Sequence, residues 1–161
     1  LAQQYALTDS TDRVRFDGKT DPQIVREILS WHDREKLFSA EEMPSFFSLY
    51  LSFLREELSG GDGFKVLPGV RELVGVLDRN ENFLVGLATG NIQEGAQLKL
   101  DRAGLGSFFP FGGFGSDSED RTELTRTAVE RAHERADGEI ERVFIIGDTP
   151  RDIVQIGRAH V

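Results

Sequence analysis

At 161 residues the chain is sized for one ordinary domain, or for a core carrying a small insert. Its formal net charge of -9 argues against nucleic acid or an anionic membrane surface as partner, and the absence of cysteine excludes disulfides and thiolate metal sites. No apolar run approaches the roughly 18–20 residues of a membrane span, and no basic stretch with an apolar core marks export, so a cytoplasmic location is expected.

Residues 1–15 show no sustained period and read as an irregular lead-in. Phe16-Asp17-Gly18-Lys19-Thr20-Asp21-Pro22 forms a turn that hands over to a helix. Thr20 and Gln23 have capping-box spacing, and Pro22 falls in the first turn, where its missing N–H does no harm. Ile24, Val25, Ile28 and Leu29 then recur at helical spacing. A second capping box, Ser39 with Glu42, opens a helix that ends near Ser59, stopped by Gly60 and Gly61. Its apolar set of Phe46, Phe47, Tyr50, Leu51 and Leu54 reads as a helix–helix core rather than a ligand box. The first 65 residues are expected to be all-helical.

The pattern changes at Val66-Leu67-Pro68-Gly69, with residues 60–63 and Pro68-Gly69 as the hinge. Val70, Leu73, Val74 and Leu77 give one helix face. Residues 83–88 predict a continuous apolar strand ending in Thr89-Gly90-Asn91. A helix from about Gln93 to Ala103 follows, with Gly104 as its stop. Residues 111–115 predict a short strand, and the next helix turns Leu124, Ala128, Val129 and Ala132 inward. Val143-Phe144-Ile145-Ile146 predicts a strand buried on both faces. Strands and helices alternating at this spacing imply right-handed crossovers and a parallel sheet. The expected fold is α/β, a partial doubly wound parallel sheet preceded by a helical module. The boundaries are 1–65 for the helical module and 66–155 for the α/β part, with a tail at 156–161.

In such a sheet, polar residues at the carboxyl ends of the strands converge on one edge. Thr89 offers a hydroxyl and, with Gly90 and Asn91, a run of backbone N–H groups at a helix N-terminus that suits phosphate. Arg121 adds a permanent, forked cation. Beyond Gly147, Asp148 and Asp152 are the carboxylates that a hard cation such as Mg²⁺ takes, together with water and a substrate phosphate. Taken singly, Thr89 also reads as an N-cap, Arg121 as a solvated helix-start residue, and the two acids as an acidic helix start. One hydroxyl, one cation and two acids in this order point to phosphoryl transfer.

With these residues the chain resembles the haloacid dehalogenase-like hydrolase superfamily, in its helical-cap branch of phosphoglycolate phosphatase- and phosphomutase-like proteins. The matching stretches are Leu87-Ala88-Thr89-Gly90-Asn91, a basic residue after a loop, and Gly147-Asp148-Thr149-Pro150-Arg151-Asp152. The resemblance implies a Rossmann-like core under an α-helical cap. It also implies Mg²⁺-dependent hydrolysis of a small phosphorylated metabolite through an aspartyl-phosphate. Thr89, with Gly90 and Asn91, would bind the transferring phosphoryl group, and Arg121 stands where the family usually has Lys. Asp148 would ligate Mg²⁺, with Asp152 supporting it directly or through water. Lys19 on the cap turn would face the leaving group, a plain surface lysine being its rival reading. Lys99 competes with Arg121 as the basic residue but falls inside a helix, too early for that motif.

The family's nucleophile and its acid/base partner come from an Asp-x-Asp-Gly-Thr motif on the first, central strand, and the sequence holds no such string. Residues 16–20 resemble it only superficially, with one Asp and no apolar strand before it. The expectation is therefore a fragment that begins just after this motif, lacks the core's first strand and is inactive, since without the nucleophile there is no covalent route. An opening on Leu1 rather than Met agrees with a cut start. Ile156-Gly157-Arg158-Ala159-His160-Val161 is what ATCGGAAGAGCACACGTC encodes, which reads as a non-native, adapter-encoded tail; a native helical segment is the rival. Rival activities on the same fold are a phosphomutase and a halide-releasing hydrolase. From another class comes a non-catalytic phosphate- or protein-binding domain such as a receiver, whose acids precede its Thr; here they follow it.

Overall fold

The structure, a computed structural model, describes residues 14–34, 36, 38–60 and 64–147. Helix α1, Asp21–Ser30, starts where its capping box sits. Thr20 Oγ1 accepts from the Gln23 N–H at 3.4 Å, and Gln23 Oε1 accepts from the Thr20 N–H at 3.1 Å. Thr20 is itself fully buried, so the cap is also a packing position. Helix α2, Met43–Gly60, opens behind Ser39, whose hydroxyl accepts from the Glu42 N–H at 3.3 Å.

These two helices share one core. Val25, Ile28 and Leu29 of α1 cluster with Val14, Phe38 and Phe46, with Ile24, Met43 and Phe47 packed at the margin. Phe38 meets Phe46 and Phe47 edge to face at centroid distances of 5.6 and 5.9 Å, the geometry that ring quadrupoles favour. Phe47 in turn meets Tyr50 at 6.5 Å. The aromatic stripe of α2 faces this core, with Phe46 buried and Phe47 and Tyr50 half-buried, and no strand occurs among the described residues before 65.

Helix α3, Val70–Asp78, follows Gly69, whose φ of +84° is a left-handed conformation that Gly adopts without a Cβ penalty. Its buried stripe is narrower than the sequence suggests: Val74 is buried and Val70 and Leu77 half-buried, while Leu73 is 51 % exposed on the flank. Then come strand β1, Leu87–Thr89, helix α4, Gln93–Ala103, strand β2, Gly112–Phe114, and helix α5, Arg121–Arg135. The strands run parallel with Leu87 opposite Gly112 and Thr89 opposite Phe114, so α4 lies within a βαβ crossover. Helix α4 stops at Gly104, in the left-handed region at φ +64°. The Arg71 guanidinium donates to the carbonyls of Ala103 and Gly104, placing a cation where the helix dipole is negative. Helix α5 buries Leu124 and Val129 and packs on both strands.

Two strand expectations are corrected. Of residues 83–88 only the end pairs, and Phe83 and Leu84 are exposed. Residues 143–146 form no strand, with Phe144 72 % and Ile146 82 % exposed rather than buried. A strand buried on both faces needs a neighbour along its edge and layers above and below it. Among the described residues the sheet has two strands, and 143–146 pairs with neither. The observed architecture is thus α/β around a parallel pair. No helix among the described residues is long and apolar enough to cross a membrane.

Candidate active site

Three segments meet at the carboxyl edge of the parallel pair. Thr89 ends β1, and Gly90 and Asn91 turn the chain into α4; Thr89 Oγ1 accepts from the Asn91 N–H at 3.2 Å and closes that turn. Against it lies the turn 18–21 that leads into α1. The contact is close: a Cβ on Gly90 would overlap the Lys19 carbonyl oxygen and come within 3.0 Å of Thr20 Cα. The Asp21 N–H donates to the Gly90 carbonyl at 2.7 Å. The Asp21 carboxylate then accepts from Asn91 Nδ2 at 3.0 Å and from the Ile92 N–H at 2.8 Å.

Lys99, two turns along α4, donates to Asn91 Oδ1 at 3.0 Å. The Asn91 amide is therefore fixed at both ends, its oxygen on an ammonium and its nitrogen on a carboxylate. From the other side, the loop after β2 joins in: the Gly115 N–H donates to the Asn91 carbonyl at 2.8 Å, and Ser116 Oγ accepts from the Gln93 N–H at 3.1 Å. The Thr20 hydroxyl reaches the Glu119 carbonyl at 3.4 Å. Tyr50 of α2 comes down on Gly95, where an added Cβ would stand 3.4 Å from its ring. Burial, and secondarily the Asp21 charge, push the Tyr50 phenol up to about 12.

The sequence-predicted residues fall as follows. Thr89, Gly90 and Asn91 form the central loop, and Arg121, half-buried, opens α5 directly after the 115–120 segment. Lys19 lies against Gly90 through its backbone, while its ammonium is ion-paired with Glu27 on α1. Asp148 and Asp152 lie outside the described residues, as do 61–63 of the expected hinge and the 156–161 tail. Among the described residues no three His, Asp or Glu side chains gather as a metal site, and Asp21, a carboxylate at this edge, is already engaged by two N–H donors. The described residues alone do not fit a divalent cation.

The Thr89 hydroxyl stands at the end of β1, and Arg121 opens α5 behind the 115–120 segment that joins this edge. The N–H groups of Asn91, Ile92 and Gln93 are taken by Thr89, Asp21 and Ser116, so they shape the loop from within. The sequence alone does not single out Asp21, since an acid in the first turn of a helix is common on dipole grounds. Its partners lie about 70 residues away, and nothing local announces them.

A chain whose polar side chains gather at the carboxyl ends of parallel strands has the layout of an α/β enzyme. This chain belongs to the haloacid dehalogenase-like hydrolase family, whose model matches residues 6–160. That span takes in both the helical part and the βαβ unit. No curated protein matches the chain.

Proposed function

We propose that the hydrolase chemistry of this chain is that of a Mg²⁺-dependent phosphatase acting on small phosphorylated metabolites through an aspartyl-phosphate, and that these 161 residues alone do not turn over. Residues 1–65 act as a helical cap and 66–155 as part of a Rossmann-like core. Thr89, Gly90 and Asn91 receive the transferring phosphoryl group, and Arg121 neutralises its oxygens. Asp148 and Asp152 are the carboxylates that would hold Mg²⁺, which supplies further charge to the phosphate when bound. Lys19 exchanges its Glu27 partner for an anionic leaving group. The observation that supports this most is the Thr89-Gly90-Asn91 turn at the carboxyl end of β1, fastened between the 18–21 turn and the loop that ends at Arg121. Inactivity follows from the sequence, which contains no Asp-x-Asp-Gly-Thr and so no nucleophile of that kind.

The test is phosphate release from a panel of phosphate monoesters, with and without Mg²⁺, by this chain and by a longer form carrying Asp-x-Asp-Gly-Thr ahead of residue 1. Release by the longer form only, lost on chelation, supports the proposal. Turnover by the 161 residues themselves, or halide release without Mg²⁺, overturns it.

A further inference from the structure

We infer that Asp21 is a positioning residue for the Thr89-Gly90-Asn91 loop, holding it in the conformation that receives a phosphate group. The inference rests on the phosphoryl-binding role proposed for that loop. Asp21 makes three contacts with three successive residues: its N–H to the Gly90 carbonyl at 2.7 Å, and its carboxylate to Asn91 Nδ2 at 3.0 Å and the Ile92 N–H at 2.8 Å. Ile92, the N-cap of α4, makes no side-chain cap bond, and the Asp21 carboxylate takes the N–H of that N-cap residue itself. Lys99 completes the arrangement by holding the Asn91 oxygen. The Gly90 carbonyl, the Asn91 side-chain amide and the Ile92 N–H are thus all anchored, with Thr89 at the strand end beside them to meet the anion.

The sign of the effect separates positioning from mere proximity. Asp21 carries a negative charge beside an anion site, so a bystander carboxylate would repel phosphate and its removal would tighten binding. A positioning carboxylate gives the opposite sign, because losing two charge-assisted hydrogen bonds lets the loop relax.

The experiment is titration of this chain with inorganic phosphate, followed through the backbone amide signals of residues 89–92 by nuclear magnetic resonance. Asp21→Ala is expected to weaken phosphate binding about tenfold, from the loss of charge-assisted bonds. Asp21→Asn keeps an acceptor for the Ile92 N–H but opposes an amide to the Asn91 amide, and should weaken it about threefold. In both, the Ile92 N–H should exchange with solvent faster than in the parent. Asp21→Asn is near-isosteric and decides the matter if Asp21→Ala does not fold. Unchanged or tighter binding in a folded variant, with Thr89→Ala still abolishing the parent's response, overturns the role of Asp21 and leaves the loop's function standing. No phosphate response in the parent overturns both.

Discussion

Arg26 and Glu119, 93 residues apart in sequence, meet as a two-pronged ion pair: Nη2 lies 2.7 Å from one carboxylate oxygen and Nε 3.3 Å from the other. The hydrogen bond to Glu119 raises the Arg26 pKa against the opposing effect of burial. The side chains remain 46 % and 37 % exposed, so solvent screens the pair. Glu119→Gln should therefore cost no more than about 0.5 kcal/mol at low salt, and less at 1 M salt, as read by urea denaturation. Arg26 also lies 5.4 Å from the centre of the Phe38 ring, so Arg26→Ala should cost more than the loss of its anionic partner does.

Thr20 is a helix cap, a buried side chain and a donor to the 115–120 loop at once. Thr20→Ala should lower stability by about 1–2 kcal/mol. Thr20→Ser, which keeps the hydroxyl, should recover more than half of that in the same denaturation experiment. Equal losses in the two variants would assign the effect to the methyl group instead.

Gly90 and Gly60 make a matched pair. An added Cβ at Gly90 collides with the Lys19 backbone, whereas at Gly60 nothing lies within 4 Å. Gly90→Ala should cost about 2–3 kcal/mol by forcing the 18–21 turn off the loop. Gly60→Ala, at the end of α2, should be neutral or stabilise by up to about 1 kcal/mol through helix propensity. A mild effect at Gly90 would mean that the two segments do not meet as closely as described.

Tyr50 gives a stability change with alkaline pH. Its pKa rises from 10.0 to about 12 in the folded chain. The folded state thus holds the phenolic proton more tightly than the unfolded state does. The stabilisation from this group is complete below pH 10 and is lost as pH climbs from 10 toward 12. Denaturation midpoints across that window should fall in the parent and fall less steeply in Tyr50→Phe.

Phe144 separates the sequence expectation from the structure. A buried strand would make Phe144→Ser cost about 3 kcal/mol or more. With the side chain 72 % exposed, the change should stay within about 0.5 kcal/mol and reduce self-association at high concentration. Light scattering together with a thermal melt would read both.

The helices were legible in the sequence because their signals are local. Thr20 with Gln23, and Gly104, each state a boundary within one turn of chain, and the structure uses both, while Ser39 with Glu42 forms half of its box in the turn just before Met43. Thr89-Gly90-Asn91 was likewise placed at a strand end by the apolar run before it and the helix after it. The apolar runs at 83–86 and 143–146 misled, because such a run records a preference for burial without naming the neighbour that would supply it. Longer-range polar contacts were invisible for a different reason. Asp21, Arg71 and Glu119 look like ordinary charges on or beside helices, and only the folded chain shows that each is directed at another segment.

Gly113 carries one more consequence. A Cβ there would run into the carbonyl oxygen of Leu124, so the backbone of α5 rests on β2 with no side chain between them. Any side chain at this position would have to push α5 off the sheet, so the spacing between helix and strand is set by the absence of a single carbon atom.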